Sequence, residues 1–142
     1  FPTRRSSDLT AANVLGSSLA TRLSQYKSAA AIIAGQLVYL NSSNAWALVD
    51  SDASFGTAPT DVRGIAENSA PGVGQPLVVV TADPNFTIGA TSTNGSTIYA
   101  STAPGSITIA DVPAAGSKPI VVGIMNSTTT AVLNIFSTGV VI

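Results

Sequence analysis

Nine short runs constrain this chain most: LVYL (37–40), WALV (46–49), VRGIAE (62–67), PLVVVTA (76–82), FTIG (86–89), STIYAS (96–101), SITIAD (106–111), PIVVGIM (119–125) and AVLNIF (131–136). Each is rich in Val, Ile, Thr or aromatics and bounded by Gly, Pro, Asn, Asp or Ser, the pattern of half-buried strands between turns. NSSN (41–44) and TAPG (102–105) suit tight hairpins, and TNG (93–95) carries an Asn-Gly pair that favours positive φ. Strands at this spacing predict an all-β fold, either a small barrel or two packed antiparallel sheets.

The runs also echo one another. GQLVYLNSSNAWALVD (35–50) and GSTIYASTAPGSITIAD (95–111) both place Gly four residues before Tyr, then a turn, then an apolar strand ending in Asp. VRGIAENS (62–69) and VVGIMNS (121–127) form a second pair with a shared Gly-Ile and a following Asn-Ser. Landmarks recurring in order at nearly one offset predict two pseudo-duplicated halves, 35–80 and 95–136, within a single β domain spanning 28–142. Tyr39 and Tyr99 are then expected at equivalent strand positions. Tyr39 and Trp46 are expected to meet across one hairpin as a packing pair.

At 142 residues the chain is expected to form one domain. Composition narrows the chemistry. Charged residues make up 9%, against roughly 25% in ordinary soluble domains. No Cys is present for disulfides or thiolate metal sites, and no His for general-base catalysis or imidazole ligation. A net charge of −1 offers no basic footprint for nucleic acid. The apolar runs Pro76–Val80 and Pro119–Ile124 are too short to span a bilayer, and the start lacks the apolar region of a secretion signal. Surface normally given to Lys and Glu falls to Ser, Thr, Gly and Ala, so copies are poorly kept apart by charge.

The candidate reactive groups do not assemble into a recognisable site in the sequence. Asp50 and Asp52 could offer oxygens to a hard cation, but ASFGTAP after them supplies no further carboxylate, so no metal site is expected. The spacing of Asp50, Asp52, Asp61, Glu67, Asp83 and Asp111 selects no glycosidase pair. No His is present to activate a serine, and GVGQPL (72–77) lacks the Lys of a phosphate loop. Arg63 and Glu67 are expected to point outward or pair locally. The composition and motifs predict no enzyme, no cofactor and no metal.

A family resemblance rests on LTAANVL (9–15), AAIIAGQLVYLNSSNAWALVD (30–50), VRGIAENSAPGVGQPLVVVT (62–81), FTIGA (86–90), GSTIYAS (95–101) and IVVGIMNSTTTAVLNI (120–135). In order and spacing these resemble the small capsid decoration, or cement, proteins of tailed bacteriophages, over nearly the whole chain from Thr10. The resemblance implies a small barrel or β-tulip-like fold without an active site. It also implies a homo-oligomer, trimer first, that binds the major capsid protein on the virion surface after assembly in the bacterial cytoplasm. TAPGSITIAD departs from the family's GGIAP-type turn. A head-fibre, tail-fibre or spike subunit and a bacterial surface carbohydrate-binding module are the alternatives.

The ends of the chain carry their own expectations. FPTRRSSDL (1–9) resembles a translated sequencing-library adapter; subtracting Arg4, Arg5 and Asp8 leaves 4 basic residues against 6 acidic ones, a net −2. Deleting residues 1–9 is expected to leave the melting temperature unchanged; a cooperative loss of stability by calorimetry would show that they belong to the fold. Residues 10–27 are expected to form a loose arm or a short helix, because Leu15, Leu19, Leu23 and Tyr26 recur at helical spacing. Val132, Ile135, Val140, Val141 and Ile142 supply more apolar surface than a small domain covers, and are the expected self-association residues.

Overall fold

A computed structural model describes residues 13–50, 62–101, 103–109 and 120–137. Residues 1–9, Asp52, Asp61, Asp111 and Val140–Ile142 lie outside the described residues. Among the described residues there is no α-helix, and eleven strands share one sheet. They are β1 (Val14–Leu15), β2 (Thr21–Leu23), β3 (Lys27–Ser28), β4 (Leu37–Leu40), β5 (Ala45–Leu48), β6 (Arg63–Ala66), β7 (Val79–Ile88), β8 (Thr97–Ala100), β9 (Ile107–Ile109), β10 (Ile120–Met125) and β11 (Thr130–Ser137). PLVVVTA and FTIG do not form two strands; residues 79–88 run as one long strand, β7, through both.

The strand order is β3-β5-β4-β6-β7-β11-β10-β8-β9, with β1 and β2 paired on β7 outside this path. All neighbours are antiparallel except β3 and β5. Read outward from the centre, β7-β6-β4-β5 on one side and β11-β10-β8-β9 on the other follow the same plan. The registers match as well. Val38 faces Gly64 and Tyr39 faces Arg63 in the first half; Ile98 faces Gly123 and Tyr99 faces Val121 in the second. A bulge between Val121 and Gly123 puts one extra residue into β10. The glycines that start each half lie at positive φ, Gly35 at 97° and Gly95 at 89°. Gly35 donates its N–H to Ala66 O at 2.8 Å, and Gly95 donates to Met125 O at 2.8 Å.

The sheet does not close into a barrel. β3 and β9 end the path with no ladder between them. Instead the sheet folds over, and its halves share a core. Leu37, Ile65 and Val80 of the first half join Ile98, Met125, Ala131 and Leu133 of the second in one buried cluster. Gly105, in the β8–β9 turn, clips the layers together: it donates to Val49 O at 2.7 Å and accepts from Leu37 N at 2.8 Å. A second cluster covers the other face of the first half, with Ile32, Val38, Leu40, Trp46, Ala66, Ala70, Leu77 and Val79. The cover comes from segment 26–34 and from the long connection 67–78, whose counterpart in the second half is the short turn 126–129.

Locally, the fold departs from several expectations of the sequence. Trp46 opposes Leu40, not Tyr39, and its aromatic neighbour is Tyr26, at 6.1 Å between ring centroids and 80° between planes. Arg63 is buried in β6, and Glu67 pairs with Arg22 rather than with Arg63. No helix forms at these positions: Leu15 lies on β1 and Leu23 on β2, both paired to β7, and Leu19 lies in the turn between them, leaving Leu15 and Leu19 exposed. Backbone pairing to a long strand outweighs a weak helical period in a segment with little apolar surface of its own.

Candidate self-association surface

The matched halves make a direct comparison possible. Leu37, Ile65 and Val80 stand in register across β4, β6 and β7, and all are buried, at 0%, 1% and 0% exposure. Their counterparts, Thr97, Ile124 and Val132, stand in register across β8, β10 and β11. Ile124 is 50% exposed and Val132 43%. The layering explains the difference. The inner face of the second half is spent on the shared core, so the row equivalent to Leu37–Ile65–Val80 turns outward, and no cluster of described residues covers it.

Charge is distributed just as unevenly. Among the described residues every charged side chain, Arg22, Lys27, Asp50, Arg63, Glu67 and Asp83, precedes residue 84. Strands β8 to β11 contain none. An adjacent pair of half-exposed aliphatic side chains on an uncharged sheet face has the character of a contact surface. Two copies could meet there without like-charge repulsion and without stripping water from an ion.

Of the residues expected to mediate association, Val132 projects from this face. Ile135 is half-buried and packs against the shared core, so it contributes less to the surface than its position in the sequence suggests. Val140, Val141 and Ile142 lie outside the described residues. Ile124 was missed by sequence reasoning that looked only to the C-terminal run. The signal for it lay in the Gly-Ile echo, which aligns Ile124 with Ile65.

Polar side chains also close the turns. Asn41 accepts from the N–H groups of Ser43 and Ala45 and so caps the 41–44 hairpin. Ser127 and Thr130 bind across the 126–129 turn at 2.6 Å. Among the described residues no three His, Cys, Asp or Glu side chains gather where a metal ion could be held. No family model, curated protein or solved structure matches the chain.

Proposed function

We propose that this chain is a phage virion structural protein that self-associates, trimer first, and decorates the outside of the head by binding the major capsid protein. The observation that carries the reading is the exposed Ile124–Val132 pair on the charge-free face of β8–β11. The ordered motifs from Thr10 to Ile135 that resemble capsid decoration proteins supply the partner class. The mechanism is mass action. Each bound copy adds its association free energy to the assembled shell, about 2.7 kcal/mol per site when the free protein is at 100 times its dissociation constant.

Sedimentation at micromolar concentration tests the self-association. The chain is expected to sediment as an oligomer, and Ile124→Asp with Val132→Asp to sediment as a monomer. Both positions are surface-exposed, so the double variant should stay folded, with a loss of about 1 kcal/mol from like charges set opposite one another across β10 and β11. Co-sedimentation with empty heads of the phage that encodes it tests the partner. A monomeric parent chain that ignores those heads would remove the reading.

A further inference from the structure

The segment from Val14 to Leu23 is held in an unusual way for a strand at a sheet edge. Val14 is the one fully buried side chain in it, Ala20 and Leu23 are partly buried, and Leu15 and Leu19 point away at 60% and 75% exposure. Its ladder to β7 is short: two residues in β1 and three in β2. Between those strands, at residues 16–20, the chain leaves the ladder, and there two carboxylates take hold of it.

Glu67 Oε2 accepts from the Gly16 N–H at 2.7 Å. Arg22 donates to both Glu67 oxygens at 3.0 Å and also to the Gly16 carbonyl at 3.0 Å, so the Gly16 backbone is cradled within the ion pair. Asp83, a buried residue in the middle of β7, accepts from the Ser17 N–H at 2.7 Å, the Ser17 hydroxyl at 2.5 Å and the Asn85 N–H at 2.9 Å. Arg22, Glu67 and Asp83 are the charged groups of this cluster, contributed by β2, the residue after β6, and β7.

We propose that the carboxylates of Glu67 and Asp83 form a releasable latch, which holds residues 14–23 on the edge of β7 and lets that segment detach while the two-halved sheet stays folded. Attachment depends on charge-assisted bonds more than on buried apolar area, whereas strands β8–β11 carry no charged residue of their own. Neutralising the two carboxylates therefore weakens one and leaves the other. Release bares the N–H and C=O groups of β7 that β1 and β2 satisfy, an edge able to accept another extended strand.

Acid is the natural trigger. The hydrogen bond from Arg22 holds the Glu67 carboxyl below its ordinary range, against the opposing effects of burial and of the Asp83 charge. Burial pushes the Asp83 carboxyl up, but the bonds from Ser17 and Asn85 outweigh it and leave that group below its ordinary range too. Groups depressed in the folded state stabilise it above their unfolded values and lose that contribution as pH falls through the folded ones. The latch should thus open below about pH 4.

Hydrogen exchange of the full chain between pH 7 and pH 2.5, corrected for intrinsic rates, reads this directly. Amides in 16–23 are expected to lose protection at least tenfold more than those in β10 and β11. At neutral pH, Glu67→Gln with Asp83→Asn is expected to raise tryptic cleavage after Arg22 at least tenfold, with the exchange protection of β10 and β11 unchanged. Protection of 16–23 that persists at pH 2.5, or that is lost together with β10 and β11, overturns the proposal. The acid titration of the unaltered chain decides the matter even if the double variant fails to fold.

Discussion

Replacing Gly123 with alanine is expected to lower the melting temperature by about 6–12 °C, from a loss near 3 kcal/mol at the upper end of ordinary overpacking costs. The reason is a close approach of two strands. A Cβ at Gly123 would lie 2.1 Å from the carbonyl oxygen of Val132 and 3.3 Å from Leu133 Cα. Those are backbone atoms of β11, and they cannot move aside without disturbing the ladder to β10. Gly64 occupies the matching place in the first half, where a Cβ would meet Val79 Cγ1 at 2.3 Å and the Val80 carbonyl oxygen at 2.6 Å. Gly64→Ala should cost a similar amount. Gly72→Ala is the control, since a Cβ there meets nothing within 4 Å and its φ is not positive. Differential scanning calorimetry of the three variants tests the set. A Gly123→Ala protein melting within 2 °C of the parent would mean that the strands do not approach as described.

Trp46→Ala carries the largest expected effect of a single side chain, about 3–5 kcal/mol. Trp46 is fully buried in the second cluster, and its ring meets the edge of Tyr26. Truncation leaves a cavity beneath segment 26–34, which is held by the two-residue β3–β5 ladder and by isolated bridges to Pro76 and Ala70. Trp46→Phe should cost far less. It keeps most of the apolar volume, and it strands no partner, because the buried indole Nε1–H has no hydrogen-bond acceptor among the described residues. Urea unfolding followed by circular dichroism separates the two substitutions. Equal losses for Ala and Phe would show that shape, not volume, governs the site.

The echo between the halves was legible because it is written in local chemistry. Gly35 and Gly95 sit where the backbone needs positive φ before a strand begins. Gly64 and Gly123 sit where two strands come too close for a Cβ. Such requirements act within a few residues or across one strand pair, so they recur whenever the same supersecondary unit recurs. The latch was not legible. Ser17 and Asp83 are 66 residues apart, and Gly16 and Glu67 are 51 apart. Nothing near Asp83 in the chain marks it as the buried acceptor of a distant backbone N–H.

The sequence by itself determined the all-β character, the turns, and the pairing of one half's landmarks with the other's, since strand propensity and turn sterics are short-range. Only the tertiary structure decided which face of each repeated strand meets water. Ile65 and Ile124 follow the same glycine on matching strands, yet the first is buried and the second half-exposed. Burial belongs to the layer above a residue, and that layer is set by the fold-over of the sheet and by the lengths of connections 67–78 and 126–129. The open sheet has the same origin. Whether β3 and β9 join into a barrel depends on accumulated twist and on where Gly105 anchors the outer hairpins, quantities that no local pattern of residues encodes.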